Sequence, residues 1–153
     1  MKRLGPFVPL VVLIAACGGS GRMSKADYQA RLQSDGKAVQ QSVTAITKSG
    51  SVSSLAQFAT KADAAEAAVK KAADDLSSLK PPKDVATDNQ EIVTALRAIQ
   101  SGLENLKKAA AAGGTAAVIA AAGKLENAPE LKRAEKAIGD LKAKGYTVGF
   151  LGS

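Results

Sequence analysis

From Leu55 to Leu79 the apolar residues step by three and four without a break: Leu55, Phe58, Ala62, Ala65, Val69, Ala72, Leu76 and Leu79. An α-helix repeats every 3.6 residues, so this stepping lays all eight side chains on one narrow stripe. On a strand they would scatter over both faces. A second seam obeys the same rule through Val85, Asn89, Ile92, Leu96, Ile99, Leu103, Leu106 and Ala110. Lys80-Pro81-Pro82 separates the two, and neither proline can continue a helical hydrogen-bond ladder. Two such stripes joined by a tight break have to pack helix on helix, so an all-α fold is expected.

The same periodicity supplies the other helices. Ser24 with Asp27 three residues on makes a capping-box-like start, and Tyr28, Leu32, Val39, Val43 and Ile46 then recur at helical spacing. Gly36 interrupts that face and weakens it unless a neighbour packs close. Ser49-Gly50-Ser51 ends this helix, and Ser54 with Gln57 caps the next, in which Glu66 precedes Lys70 by one turn. The third begins near Asp84 and stops at Gly113-Gly114. Asp84, Asp88 and Glu91 at its start and Lys107 and Lys108 near its end suit the helix dipole. The fourth segment runs from Thr115 to about Lys144, with one stripe of Val118, Ala122 and Leu125 and another of Leu131, Ala134, Ile138 and Leu141. Pro129 divides the stripes, so this helix is kinked or split there. Gly145 closes it, with Tyr146 placed to fold back on the last turn. Segments of similar length and short connections predict an up-down four-helix bundle. The alternative is a three-helix stack with the Pro129 segment as a smaller cap.

Composition narrows the chemistry. The chain has no histidine, which excludes Ser-His-Asp and Cys-His nucleophile systems, His-containing zinc sites and His-ligated haem. Three Phe, two Tyr and no Trp leave little to stack on bases, so nucleic acid is not an expected partner. Asp74-Asp75 beside Lys70 and Lys71 reads as solvated-face ions, because a hard cation needs six or more oxygen ligands. No metal or cofactor is expected. Asn89 stands on a core stripe one turn from a helix start, where such a side chain bonds backbone near the end of a bundle. Alanines such as Ala109–Ala112 and Ala116 onward let helices approach closely, which predicts little interior volume for a ligand.

The first residues follow a different logic. Lys2 and Arg3 precede an apolar run from Phe7 to Ala16, too short for a membrane span of ~20 residues. Small Ala15 and Ala16 lead to Cys17, the one cysteine, followed by Gly18-Gly19-Ser20-Gly21. A basic start, a short apolar stretch and small residues form a secretory signal. The Leu13-Ile14-Ala15-Ala16-Cys17-Gly18 segment resembles the lipobox of bacterial lipoprotein precursors. That resemblance implies acylation of Cys17, cleavage between Ala16 and Cys17, and a chain held at the extracytoplasmic face of a cell membrane. The expected divisions are a signal peptide at 1–16, a lipidated Cys17 and tether at 17–23, a bundle at 24–146 and a short tail at 147–153. Cleavage at that point leaves 137 of the 153 residues, with 19 basic against 14 acidic side chains, an excess of five.

The whole chain looks like the small Ala-rich helical lipoproteins of high-GC bacteria. The likeness lies in Leu76-x-x-Leu79-Lys80-Pro81-Pro82 and Lys144-Gly145-Tyr146. In an up-down bundle the start of the first helix, the double-proline turn and the end of the fourth share one end, the tethered one. It would gather Arg22, Lys25, Lys80, Lys83, Lys142 and Lys144 with Tyr28, Tyr146 and Phe150, and those six cations are the candidate membrane-facing residues. Lys48, Lys107 and Lys108 at the other end temper the bias. The expected function is non-enzymatic: a lipid-anchored module binding an unknown envelope protein or component, or alternatively a carrier or sensor of a small amphiphile.

Overall fold

The first rod starts where the sequence places its cap. In the computed structural model, which describes residues 21–47 and 55–149, Ser24 Oγ accepts from the Asp27 N–H at 3.1 Å and donates to Asp27 Oδ2 at 2.7 Å. Helix α1 then spans Lys25–Thr47. Helix α2 runs Leu55–Ser78 and stops before Lys80-Pro81-Pro82. A 3-10 turn at Lys83–Val85, closed by the Val85 N–H on Pro82 O, leads into α3, Ala86–Ala111. Gly113, at φ 75°, takes the left-handed turn that ends α3, a conformation in which a Cβ is strained.

Helix α4 covers Thr115–Glu126 and α5 covers Pro129–Ala143. The fourth rod is therefore split at Pro129. The residue before a proline is pushed to extended backbone, and Ala128 obeys at φ −63° and ψ 127°. Asn127 closes α4 by donating its side-chain amide to Gly123 O at 2.7 Å. At the end of α5, the Tyr146 N–H reaches Leu141 O and the Gly145 N–H reaches Lys142 O, with Gly145 at φ 75°. This is a Schellman closure, with Tyr146 folded back as its sequence position predicts.

The described residues make a helical bundle. Successive rods run in opposite directions: the Met23 N–H at the start of α1 binds Lys80 O after α2, and Lys107 late in α3 meets Asp63 and Glu66 early in α2. The two seams form the core. Ala62, Ala65, Val69, Ala72 and Leu76 are buried from α2, and Ile92, Leu96, Leu103 and Leu106 from α3. Phe58, Leu79 and Ile99 are half-buried against them. On α1, Tyr28, Leu32 and Val39 point inward, and Gly36 is buried beside them.

Two parts of the fourth segment differ from the expected stripes. Ala122 is exposed, and the inward face of α4 is Val118, Ala121 and Leu125. Helix α4 packs chiefly on α3, so its contact stripe is narrow and a shift of one residue turns a side chain ~100° away. No residue of α4 is buried, and Ile119 is 67% exposed. Leu125 docks over Gly102 of α3, where an added Cβ would lie 2.5 Å from a Leu125 methyl.

The second difference lies after α5. Thr147 to Gly149, in the stretch expected to be a tail, lies along α1. The Thr147 N–H donates to Gln29 Oε1 at 3.0 Å, Val148 is 2% exposed, and a Cβ on Gly149 would press within 3.2 Å of the Gln33 backbone. The end of α5 is joined to α1 by this strap and by Tyr146.

Candidate functional site: the tethered end of the bundle

The end of the bundle where α1 starts and α5 stops is organised around two tyrosines. Tyr28 is fully buried, and its hydroxyl donates to Asn89 Oδ1 at 3.0 Å. Asn89 in turn donates to Leu76 O at 3.1 Å, a carbonyl in the last turn of α2 that also accepts from the Leu79 N–H at 3.4 Å. Asn89 thus bonds backbone at the bundle end, and one amide links α1, α2 and α3. Burial above all, then the Asp88 carboxylate and Tyr146, push the Tyr28 pKa well above the ordinary phenol value, so its hydroxyl stays a donor. Tyr146 meets Tyr28 edge to face, with centroids 5.9 Å apart and planes at 81°. Its own hydroxyl lies 3.3 Å from Asp84 Oδ2, and burial followed by the Asp84 charge raises its pKa.

The six expected cations do gather here, but they do different things. Lys25 is committed: its ammonium donates to Lys144 O at 2.7 Å and sits 4.5 Å from the centre of the Tyr146 ring. Lys144 is also committed, to Asp88 at 2.6 Å and Asp84 O at 2.8 Å, tying the end of α5 to the start of α3. Arg22 donates to Pro81 O at 2.8 Å and has no carboxylate partner among the described residues. Lys80, Lys83 and Lys142 are exposed and, among the described residues, pair with no carboxylate. Cys17, Ala16 and Phe150 lie outside the described residues.

At the opposite end Lys107 and Lys108 are both paired. Lys107 bonds Asp63 and Glu66, which together raise its pKa, Asp63 contributing most. Lys108 pairs with Glu104 at 2.8 Å and lowers the pKa of that carboxylate. Lys48 lies outside the described residues. Along α2, Lys70 holds Asp74 at 2.6 Å and Lys71 holds Asp75, so the acidic pair is tied up in exposed i,i+4 bridges.

Two further features bear on binding. Val39, Ile92, Leu96, Ile99, Leu131 and Ile138 line a half-open apolar groove of about 170 Å³ between α1, α3 and α5, with Glu135 at its rim. A groove of this size is in keeping with the little interior volume expected of helices rich in small residues. Asp35, 9% exposed, has a buried Oδ2 without a hydrogen-bond partner. Burial first and then Asp75 raise its pKa, against the opposing pull of Lys71 and Arg31. Among the described residues no cluster of three metal-type ligands converges, and no helix is long and apolar enough to cross a membrane. No family model, curated protein or solved structure matches the chain.

Proposed function

We propose that this chain is an extracytoplasmic, non-enzymatic module, held at a bacterial cell membrane by acyl chains on Cys17 and acting through contacts with an envelope protein or component. The observation that carries this reading is the fixed entry of the tether. Arg22 and Met23 are bonded to Pro81 O and Lys80 O. Cys17 is five residues before Arg22 and can stand no more than ~18 Å from it. An anchor at Cys17 therefore holds one defined end of the bundle near the membrane. The absence of histidine from the sequence and the pairing of its adjacent carboxylates favour a binding role over a catalytic one.

Mass measurement of the N-terminal peptide from membrane-extracted protein tests the anchor. The expected product begins at Cys17 and carries diacylglyceryl mass. A free thiol at Cys17, or a start elsewhere, contradicts it.

The groove beneath Val39 supports a second reading, the carriage of a small amphiphile. Its 170 Å³ is room for a short apolar group only, below the several hundred Å³ of ordinary ligand pockets. Ala134→Leu would fill the groove. If a solvatochromic apolar dye binds the native chain and this variant equally, the groove is not the binding place.

A further inference from the structure

We propose that Lys80, Lys83, Lys142 and Arg22 form a docking face for an anionic bilayer surface, on which the bundle stands upright. The anchor reading supplies the location; the choice of residues comes from their bonding. The bland account of lysines at such positions is that they cap helix C-termini. Here most of those carbonyls already have partners. Asp140 O, Leu141 O and Lys142 O accept from the N–H groups of Lys144, Tyr146 and Gly145, and Lys144 O accepts from Lys25. In the last turn of α2, Asp75 O accepts from the Ser78 hydroxyl and Leu76 O from Asn89 and the Leu79 N–H; in the turn beyond it, Lys80 O accepts from the Met23 N–H and Pro81 O from Arg22. The ammonium groups of Lys80, Lys83 and Lys142 are left over.

The four cations come from the start of α1, the turn between α2 and α3, and the last turn of α5. They ring one end of the rods. Of the other cations with no carboxylate partner among the described residues, Arg31, Lys37, Arg97, Lys124 and Lys132 lie partway along the rods, and Lys61 stands alone near the other end. No large apolar side chain is exposed among the four; Met23 and Pro82 are half-buried. A protein partner needs a desolvated aromatic or aliphatic anchor at the centre of its interface. A ring of separate charges without one suits a laterally fluid layer of anionic headgroups. Attraction to such a layer fades within a Debye length of ~8–10 Å, and a tether of a few residues keeps the ring close enough to feel it.

The test uses the mature chain from residue 17 with Cys17→Ser, which contains every core residue from Met23 to Val148. Binding to phosphatidylglycerol-containing vesicles is measured by sedimentation at low and high salt, against phosphatidylcholine vesicles. Two triple variants of equal net charge are compared: Lys80→Gln with Lys83→Gln and Lys142→Gln, and Lys61→Gln with Lys108→Gln and Lys124→Gln. Salt-sensitive binding to the anionic vesicles is expected, lowered about a hundredfold in the first triple and nearly unchanged in the second. Equal loss in both triples would mean that net charge and not this face governs binding, and would overturn the proposal. So would equal binding to neutral vesicles, no binding at all, or an unaffected first triple. Because the probe is not acylated, failure here leaves the anchor intact, and failure of the anchor shows only in the N-terminal mass.

Discussion

The two ends of the bundle solve the problem of closing a set of helices in different ways. The tethered end is closed from inside. Tyr28, Asn89 and Tyr146 tie α1, α2, α3 and the end of α5 together through buried hydrogen bonds and an edge-to-face ring contact. At the far end the buried seam of Ala62, Ala65 and Leu106 is overlaid by ion pairs, Lys107 of α3 with Asp63 and Glu66 of α2 and Lys108 with Glu104 of its own helix, and α4 rests on α3 through half-buried side chains alone. The consequence for charge is the useful lesson. Where closure is internal, surface lysines stay free for a partner. Where ion pairs cross between helices, the lysines that make them are spent, as Lys107 is on Asp63 and Glu66.

The contrast can be broken by substitution, beginning with its strongest element. Tyr28→Ala removes a fully buried ring and strands Asn89; a loss of ~3–5 kcal/mol is expected in urea denaturation. Leu125→Ala at the far end, half-buried, should cost clearly less. Asn89→Ala leaves the buried Tyr28 hydroxyl without its partner and takes one of two donors from Leu76 O, and should cost ~1–3 kcal/mol. If Asn89→Ala were neutral, the internal clasp would not be what closes that end.

Asp35, on the α1 face toward α2, sharpens the comparison through pH. Its pKa is raised in the folded chain, so the folded state holds its proton more tightly than the unfolded one. Its favourable contribution is complete below the ordinary Asp value and is lost as pH rises through the raised value. Asp35→Asn should therefore raise Tm at neutral pH and change it little near pH ~3, below both values. An equal rise at both pH values would show that the carboxylate charge is not the cause.

Smaller effects are expected at the far end. Gly102→Ala gains helix propensity but pushes Leu125 off its seat, so the net stability change should stay within ~1 kcal/mol. Amide exchange along α4 should nonetheless quicken while the first turns of α3 remain protected. The smallest shift is expected from Lys107→Gln: a slight lowering of Tm that shrinks in high salt, because the bridge to Asp63 is open to solvent while that to Glu66 is half-buried.

The sequence carried the rods but not the spaces between them. Heptad stepping is a local property, so the stripes of α2 and α3, the Ser24 cap, the Gly145 closure and the break at Pro129 could all be read from neighbouring residues. Ala122 was misplaced because its burial depends on how many rods flank α4, which no local pattern encodes. Val148 is an isolated apolar residue after a helix stop, with no periodicity to mark it as core. Gly102 looks like any helix glycine until Leu125 is seen above it. At the tethered end the six cations were legible as a group from topology. Which of them are spent was not, because Lys25 and Lys80 differ only in what lies within a few ångströms of their ammonium groups.

The central claim is that the tethered end faces the membrane. It is tested most directly in the acylated protein reconstituted in anionic vesicles. A fluorophore is placed on Thr87→Cys at the start of α3 or on Ala112→Cys at its end, roughly 37 Å apart along the helix, and quenched by a headgroup-bound quencher. Strong quenching at position 87 and little at position 112 is the predicted result. Equal quenching at both, or stronger quenching at 112, would contradict it.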